Sequence, residues 1–252
     1  MKSSQELLAE FEKNGYFVSR KLVRPDEINQ IKVYVEKALN PLQAPLEYET
    51  DVGYPGAPTQ KTDKGGLTPR RLLHAYSRNE CFRSWAKDRR IASVLEVLFK
   101  EKPLLSQSHH NCIMTKSPQY GSVTNWHQDI RYWSFDRPEL ISVWLALGVE
   151  NEDNGCLRCI PGTHQLDLDR GRLDQYLFLR PELPENKKLI EQAKVIELKP
   201  GDVLFFHSRL FHAAGQNQTD QVKFSLVFTY HEANNFAIPG TKSANYPSIE
   251  LS

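Results

Sequence analysis

Two histidines and one aspartate have the types and spacing that metal chemistry requires. His127 and Asp129 form an H-x-D pair, and His212 follows much later in the chain. Residues two apart on an extended strand point to the same side, so this pair can face a single ion. Two histidines and one carboxylate make the facial triad typical of non-haem iron(II) oxygenases, whereas four protein ligands would suit structural zinc. The plainer interpretation of an isolated H-x-D pair is a surface histidine and aspartate that flank a strand.

The elements that must position these residues fall into two regions, and the N-terminal one is mainly helical. Ser3 and Glu6 form a capping box before an apolar run, and Gly15 ends that helix. A second helix begins at Pro25, and residues 79–99 predict two short helices. Residues 41–69, which are rich in proline and glycine, are predicted to form a loop or lid. Residues 165–192 are a second predicted lid.

The second region, after Pro103, has the pattern of an all-β structure. Short β-branched and aromatic segments alternate with Asn-Gly and Pro-Gly turn signals. The pattern predicts one domain over residues 1–252, mainly β with flanking α. It has a helical support at 1–102, a jelly-roll core at 103–235 and a C-terminal tail at 236–252. The predicted strands are residues 141–149, 156–160, 194–198, 203–206 and 224–230.

Composition excludes several classes of protein. The 32 basic and 31 acidic residues give a net charge of +1, which favours neither nucleic acid nor an anionic membrane surface as a partner. Four cysteines are too few for a disulfide scaffold. The N-terminus lacks the apolar segment of a secretory signal, and the C-terminus lacks a peroxisomal address. We therefore expect a cytoplasmic protein.

Three motifs strengthen the metal hypothesis because they occur together and in a fixed order. Residues 127–133 resemble the metal-binding stretch of the phytanoyl-CoA dioxygenase family. The Asn-Gly-Cys-Leu to Pro-Gly-Thr-His segment at 154–164 and the Pro-Gly-Asp to His-Ala-Ala-Gly segment at 200–217 resemble later motifs of the same family. The resemblance covers residues 105–231 well and the N-terminal helices loosely.

This resemblance implies a double-stranded β-helix fold, a bound Fe(II), and 2-oxoglutarate and O₂ as co-substrates. It makes His127, Asp129 and His212 the metal ligands. Related halogenating enzymes lack the carboxylate, so Asp129 favours hydroxylation.

The expected anchor for the distal carboxylate of 2-oxoglutarate departs from the family pattern. The family usually places an arginine eleven residues after the second histidine, and this chain has Lys223 there. Lysine offers a point charge and no planar fork. Ser225 faces the same way on a strand and could add a hydrogen bond. The alternative for Lys223 is a solvated lysine on an edge strand.

Three further positions match pocket-lining positions of the family. Arg71 matches a second basic contact to the co-substrate, although a surface arginine is an equal alternative. Trp144 matches a residue that packs against the co-substrate, and Cys112 lies near another lining position. A core tryptophan and an inert buried thiol are the plainer interpretations. Arg131, Tyr132 and Trp133 are expected on the substrate side.

Other suggestive residues are interpreted as structural. Cys156 and Cys159 lie three apart on a strand, so their sulfurs should face opposite sides. His110, His164 and His207 are expected to be structural histidines, with His110 a satisfied core residue. The alternatives are a His110 ring that points into the barrel and a His164 ring at the rim of the pocket.

Together these features predict a dioxygenase that hydroxylates a small molecule, with release of succinate and CO₂. No feature marks a CoA site. Two alternatives stay open: a cupin-like isomerase, and a non-catalytic binder of the same fold, which the lysine at 223 would favour. The sequence does not indicate the oligomeric state.

Overall fold

The structure is a computed structural model, and it describes residues 3–251. Its helices are α1 (Ser4–Asn14), α2 (Pro25–Leu39), α3 (Ala75–Arg78), α4 (Glu80–Ala86), α5 (Arg89–Phe99) and α6 (Pro184–Ile190). Its strands are β1 (Tyr16–Ser19), β2 (Leu46–Tyr48), β3 (Pro69–Leu73), β4 (Pro103–Lys116), β5 (Thr124–His127), β6 (Leu140–Ala146), β7 (Leu157–Cys159), β8 (Lys194–Val195), β9 (Val203–His207), β10 (His212–Ala214), β11 (Lys223–Glu232) and β12 (Ile249–Glu250).

The strands form two antiparallel sheets. The larger sheet has the order β1-β9-β6-β11-β4-β3-β2, with β12 also paired to β4, and the smaller has the order β5-β10-β7-β8. Residues from both sheets line one cavity between them. Two facing antiparallel sheets around a cavity form a jelly roll, which confirms the predicted mainly β fold with flanking helices.

The larger sheet has two differently used faces, and β11 shows the alternation. Leu226, Phe228 and Tyr230 pack in the cluster that includes the helical residue Phe82. Val227, between them in sequence, packs in a second cluster that includes Trp144. Because successive strand residues point to opposite faces, the helices cover the outer face and leave the inner face for a site.

The first helix has the ends that its sequence predicts. The Ser3 hydroxyl accepts from the Glu6 backbone N–H, and the Glu6 carboxylate accepts from the Ser3 backbone N–H. Gly15 ends the helix with φ of +77°. A side chain there would also collide with His164, whose Nδ1 lies 2.5 Å from the position of a Cβ. Glycine at this corner therefore allows the chain to turn directly into β1.

The structure differs from the sequence prediction in three places. Strands β2 and β3 lie within the region predicted to be helices and loop, and the 14-residue strand β4 is absent from the predicted strands. Strand β4 is not predicted because its polar middle, Ser-Gln-Ser-His-His-Asn, interrupts the apolar alternation of a half-buried strand. In the expected C-terminal tail, β12 pairs with β4.

The middle of β4 is also irregular in pairing. Ser106 lies opposite Thr229 and Asn111 lies opposite Phe228, so residues 107–110 have no partner on β11. Such a bulge redirects side chains away from the regular alternation. It brings His109 and His110 to the wall of the cavity.

Among residues 3–251, no helix combines the length and the apolar character that a bilayer crossing requires.

Candidate functional site

The three predicted ligands converge at one end of the cavity. His127 ends β5 and His212 begins β10, and these two residues lie opposite each other in the antiparallel β5–β10 pair. Their ring centroids are 4.3 Å apart. Oδ1 of Asp129 lies 3.6 Å from Nε2 of each histidine. One donor atom from each of the three residues lies within 4.8 Å of the others, and all three residues are buried.

Both imidazoles are held in the tautomer that a metal ligand needs. Nδ1 of His127 donates to the backbone oxygen of Asn125 at 2.8 Å, and Nδ1 of His212 donates to that of Leu210 at 2.9 Å. With Nδ1 protonated, the lone pair is on Nε2, which faces Asp129. Burial and the neighbouring His127 lower the pKa of His212 to about 4, so its ring is neutral at physiological pH.

Asp129 has a neighbour that the sequence did not reveal as functional. Nε2 of His110 lies 3.4 Å from Oδ2 of Asp129, a charge contact too long for a good hydrogen bond. Burial alone would raise the pKa of Asp129, but the adjacent His110 and His212 hold it well below the usual range. Within residues 3–251, Nδ1 of His110 has no hydrogen-bond partner. The expectation of a satisfied core histidine is therefore wrong, because the bulge in β4 turns this ring toward the metal ligands.

The arrangement fits a divalent cation. Oδ2 of Asp129 is buried and has no hydrogen-bond partner in the described chain. The other oxygen, Oδ1, faces the lone pairs of both ligand imidazoles, and this arrangement is unfavourable unless a cation lies between them. Two nitrogen ligands and one oxygen ligand on one side, with a cavity on the other, are the donor set of a non-haem iron(II) site.

The cavity beside these residues has a volume of about 530 Å³. Both segments predicted as lids border this end of the molecule. Tyr54, from the 41–69 segment, lines the cavity, and its hydroxyl lies 2.7 Å from that of Tyr132. Phe178, from the 165–192 segment, packs against the His127 ring with centroids 5.8 Å apart. Tyr132 and Trp133, expected on the substrate side, also line the cavity, whereas Arg131 stacks on the Phe178 ring.

The residues predicted to anchor the co-substrate also lie together, but around a carboxylate that the sequence analysis missed. Nζ of Lys223 lies 3.1 Å from Oε2 of Glu150. The Ser225 hydroxyl donates to Oε1 of Glu150 at 2.7 Å, and the Trp144 indole N–H donates to the same oxygen at 2.9 Å. Glu150 is held there because its backbone pairs with Leu198 in both directions. Lys223 and Trp144 line the cavity, so Glu150 supports them from behind.

The other predicted co-substrate contacts are also on the cavity wall. Arg71 lines it, but its guanidinium makes two hydrogen bonds to Glu47, at 2.9 Å and 2.6 Å. Cys112 lines it as well, with its thiol 3.6 Å from the Met114 sulfur. Arg71 is thus a half-buried cavity residue that already has a carboxylate partner, and Cys112 is a buried thiol on the cavity wall. Their contacts to the co-substrate stay predictions.

The residues interpreted as structural behave as expected, apart from His110. All four cysteines are free thiols. His164 and His207 pack against Phe11 and each other on the far side of β9. Nδ1 of His207 accepts from the backbone N–H of Arg209. These two rings lie outside the cavity wall.

Comparison with known proteins places this site in a family. A family model described as phytanoyl-CoA dioxygenase (PhyH) matches residues 11–225. A probable phytanoyl-CoA dioxygenase from Caenorhabditis elegans is 25% identical over 240 residues, which cover 89% of this chain and 73% of that protein.

Two solved structures share the fold. EctD from S. alaskensis with bound Fe superposes with a TM-score of 0.79 at 18% identity, over 100% of this chain and 87% of that one. The epimerase SnoN in complex with Fe³⁺, α-ketoglutarate and nogalamycin RO gives a TM-score of 0.74 at 20% identity, over 99% of this chain and 95% of that one. Iron and the 2-oxo acid bound in these structures are the pair that the sequence predicts for this chain. With the family match over residues 11–225, the chain belongs to the phytanoyl-CoA dioxygenase family, which confirms the predicted enzyme class, a dioxygenase.

Proposed function

We propose that this protein is an Fe(II)- and 2-oxoglutarate-dependent dioxygenase that hydroxylates an unactivated C–H bond of a small molecule and releases succinate and CO₂. The observation that carries the proposal is the buried cluster of His127, Asp129 and His212 at one end of a cavity whose other end holds buried lysines. 2-Oxoglutarate has a keto-acid group that can bind the metal and a distal carboxylate that can bind the lysines.

The chain's own residues bind and orient in this reaction. His127, Asp129 and His212 would hold Fe(II) from one side, with the backbone oxygens of Asn125 and Leu210 fixing the two rings. When bound, iron with 2-oxoglutarate and O₂ supplies the oxidising chemistry. The protein contributes a ligand set that leaves open positions and a cavity from which water is excluded.

Lys223 would receive the distal carboxylate, with Trp144, Arg71 and Cys112 along the wall. An ammonium group has three donors, and Glu150 uses one of them, so donors remain for a ligand. The Tyr54–Tyr132 contact joins the 41–69 segment to the substrate side of the site. Opening of this contact would admit ligands, and its closure would exclude water.

The substrate side favours a polar small molecule over a long acyl chain. Its wall includes Gln107, Ser108, His109 and Asn111 from β4. The hydroxyl of Ser108 has no hydrogen-bond partner among residues 3–251, so it can accept one from a ligand. Polar groups in such positions fix the orientation of a ligand.

Turnover without the natural substrate tests the proposal. Purified protein with Fe(II), ascorbate and 2-oxoglutarate should release succinate slowly. His127→Ala should reduce that release by at least about 100-fold, since an outer-sphere change already costs 10–100-fold. Iron content, measured on the same samples, should fall in parallel. Succinate release by the variant at the wild-type rate would refute the oxygenase assignment. Iron binding by the wild type without succinate release would instead support the non-catalytic binder or the isomerase.

A further inference from the structure

Four buried or half-buried cations line the same cavity as the metal ligands, and in the described chain none of them is within ion-pair distance of Asp129. We call this part of the cavity the lysine end. A buried charge is costly unless it is paired. Three of the four have a carboxylate within ion-pair distance: Arg70 with Glu49 and Glu47, Arg71 with Glu47, and Lys223 with Glu150. The fourth is Lys116.

Lys116 is the exception in this group. Its side chain is 9% exposed, and its ammonium donates to the backbone oxygen of Ser122 at 2.6 Å. Within residues 3–251, no carboxylate lies within ion-pair distance of it. Its sequence position does not mark it as functional, because a lysine at the end of a strand usually faces solvent.

Its position matches that of the predicted anchor. Lys116 lies directly opposite Lys223 in the β4–β11 pair, and both side chains line the cavity. Residues opposite each other in an antiparallel pair have Cβ atoms about 5 Å apart and point to the same face. Two ammonium groups therefore lie side by side at the lysine end, and one carboxylate, Glu150, balances only one of them.

This inference rests on the proposed function. We propose that Lys116 binds the distal carboxylate of 2-oxoglutarate together with Lys223 and supplies the net positive charge there, because Glu150 already balances the charge of Lys223.

A consequence for pH follows from the surroundings of Lys116. Burial, with Arg70 on β3 and Lys223 on β11, lowers the pKa of Lys116 to about 7, and Glu49 opposes this only in part. Entry of a carboxylate raises that pKa again, because the charged amine gains a partner. Co-substrate binding above pH 7 should therefore take up a proton. The affinity should be constant below pH 7 and fall by up to tenfold per pH unit above it.

Calorimetry on the Fe(II)-loaded protein under anaerobic conditions tests the proposal without turnover. The two ligands are 2-oxoglutarate and 2-oxopentanoate, which has the same chain but lacks the distal carboxylate. Each is titrated at pH 8 in two buffers of different ionisation enthalpy, which reports the protons taken up. The wild type should take up close to one more proton with 2-oxoglutarate than with 2-oxopentanoate.

Lys116→Met should abolish that extra proton and weaken 2-oxoglutarate binding by about 10- to 100-fold, the range for a lost charge-assisted hydrogen bond. Its affinity for 2-oxopentanoate should stay within about twofold. Lys194→Met, at an exposed lysine on β8, is the matched control and should change neither quantity. Thermal unfolding verifies that each variant folds, and Lys116→Gln replaces the methionine variant if it does not.

The outcomes separate this inference from the proposed function. Wild-type affinity in the Lys116 variant, equal weakening of both ligands, or no extra proton in the wild type would each overturn the role of Lys116 alone. Failure of the Fe(II)-loaded wild type to bind either 2-oxo acid would overturn the proposed function itself.

Discussion

The two ends of the cavity are built on opposite principles. At the metal end, two imidazole nitrogens and a carboxylate face one another, and no cation within residues 3–251 balances Asp129 apart from the longer contact to His110. At the lysine end, the charge of Lys223 is already balanced by Glu150 through a buried ion pair. The metal end is thus incomplete without an added ion, whereas the lysine end is balanced within the protein except at Lys116. Substitutions at the two ends should therefore affect different properties.

The largest expected effect is at the metal end. Asp129→Ala should lower Fe(II) affinity on the order of 1000-fold or more, beyond the 10–100-fold of outer-sphere changes. The free energy of unfolding of the metal-free protein should fall by no more than about 1 kcal/mol, because the variant loses the contact to His110 but also removes a buried carboxylate oxygen that lacks a hydrogen-bond donor. Metal titration followed by absorbance, and urea unfolding in chelator, measure the two quantities. A large loss of stability in the metal-free variant would show that Asp129 is structural and would remove the contrast between the ends.

Substitution at the lysine end should have the opposite effect, lowering stability and leaving Fe(II) affinity unchanged. Glu150→Gln should reduce the free energy of unfolding of the metal-free protein by about 3 kcal/mol, because Lys223 is left buried without a counter-ion. Fe(II) affinity of the folded fraction should stay near that of the wild type. Glu152→Gln, at an exposed position two residues away, is the control and should change stability by less than about 0.5 kcal/mol. Equal stability of the two variants would mean that the Lys223 pair contributes nothing.

The same contrast explains how much the sequence could predict. The ligands His127 and Asp129 are two residues apart. β5 ends at His127 and Asp129 begins a short 3-10 helix, but the extended backbone of Gln128 between them keeps both side chains on one side. The later motifs located His212, and the structure brings it opposite His127. Lys223, Ser225 and Trp144 were correctly grouped, but their common partner Glu150 was not found.

Glu150 was not predicted because no local sequence feature distinguishes it from an ordinary surface glutamate. It follows an apolar strand, and its burial depends on pairing with Leu198, far along the chain. His110 escaped for a related reason, since its direction depends on a bulge in β4 that appears only when β4 pairs with β11. The five predicted strands overlap observed ones, whereas β4 was missed because its polar middle faces the cavity. Residues whose role depends on tertiary pairing are those that sequence periodicity does not reveal.

A smaller effect is expected from His110, which tests how far the metal end extends. His110→Ala should weaken Fe(II) binding by about tenfold, because the ring contacts the free oxygen of Asp129 and limits its movement. His110→Gln keeps a donor at a similar reach and should recover most of the affinity. The control is His74→Ala, at a half-buried histidine of the same cavity that has no contact with Asp129, and it should leave Fe(II) affinity unchanged. If alanine and glutamine at position 110 weaken binding equally, the contact to Asp129 is not what matters.

The smallest effect separates two roles for Ser225. The sequence predicts a hydrogen bond to the co-substrate, whereas the structure shows its hydroxyl donating to Glu150. A hydroxyl has a single donor, so it cannot donate to both at once. Ser225→Ala should lower the free energy of unfolding by about 1.5 kcal/mol, the low end for a hydrogen bond to a charged group, because Trp144 still donates to the same oxygen. The affinity for 2-oxoglutarate should change by less than about threefold. A variant with unchanged stability and much weaker 2-oxoglutarate binding would show that the serine turns to the ligand, and the lysine end would then need an added partner at Ser225 as well as at Lys116.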